Sequence, residues 1–313
     1  MRQILVRWAV SAIPVLFIVS LLTFLLTALI PGDPGRTILG QTADPDKVAA
    51  MNEALGVNRP LPVRYWDWLK GAVTGDLGDS ITSSVSVSGQ VGDRLAVTLS
   101  LIAGAFIVTG LVGVTCGVFS ALKGGWLGRL IDGTAMLGMA IPVYWFALVL
   151  SMVFAVKLRL FPAIGYTPFS QSPGKWFMGL VLPVMALGLS CAAPVAKQTR
   201  NGVLSELGRD YVRALRARGF AERTIIVKHV LRNAAAPIIT VLGIVVVGMF
   251  GGSVLIENVF AMPGLGGLAV SAAAGQDITT MQGVAVVFTV FVIVVNLVIE
   301  VLYALVNPKV RTR

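Results

Sequence analysis

Tyr211–Pro237, YVRALRARGFAERTIIVKHVLRNAAAP, is the longest strongly charged run in an otherwise oily chain. From Leu204, apolar or small residues recur at Leu207, Tyr211, Ala214 and Leu215, steps of three and four that make one stripe on a helix. Arg209, Arg213, Arg216 and Arg218 fall largely off that stripe. Gly219 interrupts the pattern, and Ile225, Ile226, Val230 and Leu231 begin a second apolar face. The spacing therefore predicts helix, glycine turn, helix, lying outside a bilayer with one packed side and one basic side.

The surroundings supply the bilayer. Of 313 residues 56% are hydrophobic and only 13% charged, with a mean hydropathy of +0.84, far too apolar for a soluble domain. The net charge of +10 does not point to nucleic acid: there is no zinc-ligand spacing and no aromatic-studded basic strand, and the charges sit in loops between apolar runs. Cys116 and Cys191 lie inside apolar runs, where a free thiol behaves as a small hydrophobe, and no disulfide between them is expected.

Trp8–Ile30 is long enough to cross a hydrocarbon core of roughly 30 Å. A cleavable signal peptide would have a shorter apolar core and a small-residue cleavage site, which is not seen before Pro31-Gly32-Asp33-Pro34. Five further runs follow, Leu95–Leu122, Leu130–Val156, Phe177–Ala196, Ala234–Ile256 and Met281–Val306, giving an all-α membrane protein of six spans. Pro142, Pro183, Pro194 and Pro237 sit in or at the ends of these runs, as a kink or a boundary. Gly110, Gly113 and Gly117 allow close helix approach. In chain order the segments are 1–30 with the first span, a loop region 31–94, a membrane core 95–306 that contains the basic 197–233 segment, and a tail 307–313.

Six spans place both termini on one side. About two thirds of the 25 lysines and arginines fall on the termini side, nine of them between Lys197 and Arg232, so that side is expected to be cytoplasmic. Lys157, Arg159 and Lys175 run against the bias. The region 31–94 carries eight carboxylates against six bases and suits the outer face; within it Asp44–Leu55 is expected to form a short helix. Tyr65, Trp66 and Trp68 are read as headgroup anchors, with packing beneath a partner as the alternative.

Groups for chemistry are sparse. No GxxxxGK[ST] is present, so the chain has no P-loop of its own, and Pro263-Gly264-Leu265-Gly266-Gly267 follows no strand and reads as a tight re-entrant turn. His229 is the only histidine and has no partners at metal or catalytic spacing. Glu300 shares a helix face with Asn296, where it lines a pathway or pairs with a base on another helix or subunit. Glu257, followed by Asn258, and Asp277 bound the last outer loop and are expected to be solvated, with gating as the alternative role. A membrane enzyme lacks convergent polar groups at bilayer depth, and a passive channel or scaffold is the remaining alternative. No catalytic residue, cofactor site or metal site is assigned.

A membrane chain with no visible energy-coupling group and one large basic loop suggests a subunit driven from outside. Tyr211 to Gly219, followed by Lys228-His229-Val230-Leu231-Arg232-Asn233 and Pro237, resembles the inner-loop signature of binding-protein-dependent ABC importer permeases, in the dipeptide, oligopeptide, nickel and glutathione branch. The family pattern is EAA, three residues, Gly, nine residues, I-x-L-P. Arg213, Ala214 and Leu215 take the EAA positions, Gly219 the glycine, and His229, Leu231 and Arg232 the final I, L and P. Pro31–Pro34 after the first span, Gly75-Asp76-Leu77-Gly78, Ala140-Ile141-Pro142, Gly252–Phe260, Pro263–Gly266 and Leu302–Pro308 are similar to landmarks of the first-permease type. Gly267, where a basic residue is common, and Ile278-Thr279-Thr280, where an aromatic-proline pair is common, depart from it.

The resemblance implies the type I importer fold, MetI-like, with a cytoplasmic coupling helix and multi-pass placement in a bacterial inner membrane. It implies as partners a second permease of the same family, two ATPase subunits that hold ATP and Mg, an extracytoplasmic substrate-binding protein, and membrane lipid. The coupling positions it implies are Tyr211, Arg213, Ala214, Leu215, Arg216, Gly219, Glu222, Arg223, His229, Leu231 and Arg232. The implied cargo is a short peptide, with nickel chelates, glutathione or haem as alternatives.

Overall fold

The structure, a computed structural model, describes residues 2–29, 33–40 and 42–306. Pro31, Gly32 and the 307–313 tail therefore lie outside the described residues. Among the described residues there is no strand, only an isolated bridge between Asp79 and Ser86. The chain runs through α1 (Arg2–Ala28), α2 (Pro34–Leu39), α3 (Pro45–Ala54), α4 (Leu61–Val73), α5 (Val87–Lys123), α6 (Gly125–Ala140) and α7 (Val143–Leu150). Then come α8 (Pro173–Leu207), α9 (Asp210–Ala217), α10 (Glu222–Thr224), α11 (Leu231–Val259), α12 (Leu265–Ala274) and α13 (Ile278–Val306). Two wide π-helical turns, Ser151–Lys157 and Ile225–Val230, extend α7 and join α10 to α11.

Among the described residues five helical rods are long and apolar enough to cross a membrane: Val10–Ala28, Val87–Lys123, Pro173–Leu207, Glu222–Val259 and Ile278–Tyr303. The third expected run is broken in two. Ile141 leaves the helix with φ −81° and ψ 121°, because the ring of Pro142 excludes the residue before it from the α region. Pro183, Pro194 and Pro237 stay inside continuous helices. The rods also outrun their apolar cores: α8 continues past Ala196 to Leu207 and starts at Pro173 behind the cap Ser172.

The chain divides into two compact units. One comprises Met1–Leu5, Leu99–Met262 and Val294–Arg313, and in it α8 packs against α6, α7 and α11. Its approach to α5 is set by glycines. A Cβ built on Gly113 would lie 2.7 Å from Val195 Cβ, and one on Gly117 would lie 2.5 Å from the Ala196 carbonyl. Gly110 meets nothing within 4 Å, so only two of the three expected contact glycines serve that purpose. Thr109 ties the pair by donating to the Gly188 carbonyl at 2.7 Å. Cys116 and Cys191 are both free.

The second unit comprises Val6–Thr98 and Pro263–Ile293. The short helix expected over Asp44–Leu55 forms as α3, and Asp44 caps it by accepting from the Asp46 N–H. Tyr65 is neither a headgroup anchor nor a partner contact: it is buried, packs against Phe17, Phe24 and Trp68, and shares a hydrogen bond of 2.8 Å with Ser20. Trp66 remains exposed. The glycine-rich 263–267 stretch leads into α12, where the Leu265 N–H donates to Thr98 at 2.9 Å. Leu265 and Leu268 join Leu77, Val87, Val91 and Val284 in a core.

Asp277 is buried, against the expectation of a solvated loop acid. One carboxylate oxygen accepts from the hydroxyls of Ser80 at 2.5 Å, Thr280 at 2.8 Å and Thr82 at 3.2 Å; the other accepts from the backbone N–H of Thr280 at 3.1 Å and of Ile81 at 3.2 Å. One side chain thus both caps α13 and anchors the 79–86 loop. Burial pushes the carboxyl up, but the donors from Ser80, Thr280 and Ile81 outweigh it and hold it below the ordinary aspartate value. The resulting stability is complete above that ordinary value and lost as pH falls through the lower folded one. Asp277→Asn should therefore lower the unfolding midpoint at pH 7, as loss of charge-assisted bonds of roughly 1.5–3 kcal/mol predicts, with the difference from wild type closing on acidification below pH 3.8. Equal midpoints at pH 7 would show that the charge does not hold the loop.

Candidate functional site: the basic 197–233 segment

The predicted stripe from Leu204 to Leu215 does not lie on one helix. α8 ends at Leu207, Gly208 follows, and Arg209 turns extended (φ −77°, ψ 150°) before α9 begins at Asp210. Glycine is a poor helix residue, and here the chain uses it to change direction. The break sends Val212 inward, fully buried, and leaves Ala214 exposed. Val212 joins Val203, Ile225, Val230, Ala234 and Ile238, with Tyr211, Leu215 and Leu231 packed against them. α9 is therefore clamped on one side by the end of α8 and on the other by the π turn.

The end of α9 is a Schellman motif. Phe220 N–H donates to the Leu215 carbonyl at 3.2 Å and Gly219 N–H to the Arg216 carbonyl at 3.0 Å, with Gly219 at φ +77°. Arg216 then reaches over the turn to Glu222, its Nε donating to both carboxylate oxygens at 3.1 and 3.2 Å and its Nη2 adding a further contact. The hydrogen-bonded carboxylate steadies the guanidinium charge and raises the Arg216 pKa.

Glu206 is a site residue that the sequence alone does not single out. It is buried at the end of α8, accepts from the Tyr211 hydroxyl at 2.9 Å and pairs with Arg209 at 2.9 Å. Asn233 donates to the same tyrosine oxygen at 3.2 Å, closing a link from α8 through α9 to α11. Burial raises the Tyr211 pKa, and donation to Glu206 raises it further. The only signal for Glu206 in the sequence is an acid set among bases.

Arg209, Arg213 and Arg216 each have an acid within the segment, in Glu206, Asp210 and Glu222. Arg218, Arg223, Lys228 and Arg232 are exposed, and no salt bridge holds them among the described residues. Phe220 and Val227 add exposed apolar surface to the same segment. His229 is half-buried in the π turn.

The other candidates lie apart from this segment in the chain. Glu257 closes α11 and is 1% exposed, so it is not the solvated acid expected; the Met262 N–H folds back onto its carbonyl at 2.8 Å. Asn258 is exposed and donates to Val254. Glu300 is exposed on α13, as is Asn296 four residues before it. Among the described residues no three acidic, histidine or cysteine side chains gather at metal-binding distance.

Residues 113–312 match the model described as binding-protein-dependent transport system inner membrane component, and residues 1–102 the one for the N-terminal part of that membrane component. A putative peptide transport system permease protein of Brucella abortus (strain 2308) is 37% identical over 99% of both chains. A probable peptide ABC transporter permease protein of Sinorhizobium fredii is 36% identical over 98% of both. The glutathione transport system permease protein GsiC of Escherichia coli (strain K12) is 34% identical over 99% of both. In fold, the chain is similar to a chain of the inward-facing MetNI methionine ABC transporter, with a TM-score of 0.58 at 18% identity, over 70% of this chain and 96% of that one. This chain belongs to the binding-protein-dependent transport system inner membrane component family, the permease components of ABC transporters.

Proposed function

We propose that this chain is one permease subunit of an ATP-driven importer for short peptides, and that α9 is the bar through which its partners move it. The observation that carries this reading is the clamped, Schellman-ended α9: a short helix fixed by the buried Val212 and the Glu206–Tyr211–Asn233 link, with cations left over for an acidic groove. A helix fixed this firmly passes on a displacement instead of absorbing it. Tyr211 and Leu215 seat the bar, and Leu231 backs it. Gly219 ends it, Arg216 and Glu222 brace its exit, and Arg213, Ala214, Arg223, His229 and Arg232 lie at or beside its outer surface.

On this reading two ATPase subunits carry ATP and Mg, a second permease of the same family completes the pathway, and a binding protein delivers cargo on the far side of the membrane. Both termini then lie in the cytoplasm of a bacterium with the spans in its inner membrane, and anionic lipid meets the free arginines. Glu257, Asn258 and Glu300 are candidates for the pathway or its gate. Peptide cargo is supported by the names of the relatives at 36% and 37% identity, and glutathione, itself a tripeptide, by the relative at 34%.

The test is uptake by proteoliposomes that contain this chain, its second permease, the ATPases and the binding protein. ATP-dependent accumulation of labelled di- or tripeptides is expected, with none when the ATPases are omitted. ATP-independent flux through this chain alone would overturn the proposal in favour of a channel.

A further inference from the structure

Lys157, Arg159 and Lys175, the bases that run against the charge bias, play no part in the coupling segment. They sit on the loop between the π-helical end of α7 and the first turn of α8. α8 has 35 residues, so about 50 Å of helix separates this loop from Leu207 and the basic segment. All three bases are exposed, and none is in a salt bridge among the described residues. The sequence has no acid between Asp132 and Glu206. Gly165 N–H ties the loop to the Phe260 carbonyl at 2.9 Å, just past α11, but Glu257 of that helix is buried and brings no carboxylate to the surface. A fixed counter-charge for these bases therefore comes from outside the chain.

The loop and the start of α8 also enclose a cavity of about 500 Å³, within the usual range for small-molecule sites. Pro162, Ile164 and Met178 give it apolar walls, and Lys175 lines it as the one cation. Tyr166 supplies a hydroxyl whose oxygen accepts from Trp176 Nε1 at 3.1 Å, which leaves its own proton to donate. Phe169 steadies that indole edge-on, with the ring centres 5.3 Å apart. The wall at Gly179 is open: a Cβ there would meet only the Gly165 carbonyl, at 3.8 Å.

Directly after Lys175, Phe177 and Met178 are exposed on a rod long and apolar enough to cross the membrane. A cation and a hydroxyl donor beside apolar walls, at the end of a span, are the complements of an anionic amphiphile. An acidic patch on a soluble protein would match the bases but leave Ile164, Phe177 and Met178 without an apolar neighbour.

We propose that this cavity seats the headgroup of an anionic phospholipid, with Lys175 and the Tyr166 hydroxyl on the phosphate and Met178 and Phe177 along the acyl chains. Lys157 and Arg159 add attraction toward the same charged surface. The site goes beyond the importer reading and uses it only for the leaflet: with both termini in the cytoplasm, the lipid comes from the outer one.

The experiment is native mass spectrometry of the assembled transporter in detergent, titrated with dioleoylphosphatidylglycerol or dioleoylphosphatidylcholine. One phosphatidylglycerol per copy of this chain should be held at least tenfold more tightly than phosphatidylcholine. Lys175→Gln should remove that preference and Lys175→Arg should keep it. Gly179→Leu leaves every charge in place and fills the cavity, and it should remove the preference as well; the intact mass of the complex reports in the same spectra that each variant assembles. Equal retention of the two lipids by the wild type overturns the site, as does a preference that both Lys175→Gln and Gly179→Leu leave unchanged. A preference lost in Lys175→Gln but kept in Gly179→Leu overturns it too, since the attraction is then diffuse and the cavity unused. Weaker association of the substrate-binding protein in Lys175→Gln, with lipid retention unchanged, would assign the surface to protein docking instead. Retention is read without cargo or ATP, so its failure leaves the importer reading standing, and failed peptide uptake leaves the lipid site standing.

Discussion

Gly219→Val is expected to lower ATP-driven uptake and substrate-stimulated ATPase activity at least tenfold while the subunit still inserts and assembles. A Cβ at Gly219 meets nothing within 4 Å, so the cause is not collision. It is the backbone: at φ +77° an L-residue is strained by about 1–2 kcal/mol, and a β-branched one by more. The chain relieves that strain by leaving the left-handed region, which breaks the bonds from Phe220 to Leu215 and from Gly219 to Arg216. α9 then loses its last turn, and Arg216 loses its fixed approach to Glu222. About 1.4 kcal/mol already corresponds to a tenfold change in rate. Gly219→Asn tolerates the same φ and should keep most of the activity. Full uptake and stimulated ATPase in the valine variant would remove α9 from the coupling role.

The second large effect is structural. Gly117→Leu is expected to prevent a stable fold, seen as loss of the monodisperse peak and of the thermal transition in detergent. The added side chain must pass the Ala196 carbonyl at 2.5 Å and Thr199 Cβ at 2.6 Å, and one of these obstacles is backbone that cannot rotate away. Overpacking ordinarily costs about 1–3 kcal/mol, but here α5 must also move off α8 and give up the Thr109 bond to Gly188. Gly110→Ala is the control: nothing lies near that position, and alanine is the better helix residue, so the midpoint should stay unchanged or rise slightly. A wild-type transition in Gly117→Leu would contradict the packing.

Gly219 and Gly208 show what a single sequence discloses and what it does not. Gly219 is legible because a helix end is a local event, written in one residue and its flanking stripes. The break at Gly208 is not, because Leu204, Leu207 and Tyr211 continue a three-and-four spacing across it, and only the packing of Val212 reveals the new direction. The apolar run 130–156 looks continuous since composition is blind to what Pro142 does to Ile141. Asp277 reads as a solvated loop acid because its donors Ser80, Ile81 and Thr82 stand 197, 196 and 195 residues away in the chain. The family's inner-loop signature, by contrast, falls within one short segment and is readable at once.

The π turn at Ile225–Val230 joins the segment that carries α9 to the long rod of α11. There the Leu231 N–H reaches back five residues to Ile226, one more than in an α-helix. That surplus residue is a dislocation in the rod. Moving it one position along exchanges one set of hydrogen bonds for another and turns the intervening residue by about 100°. A rod with such a defect has discrete registers, and this one has its defect at the end that leads back to α9.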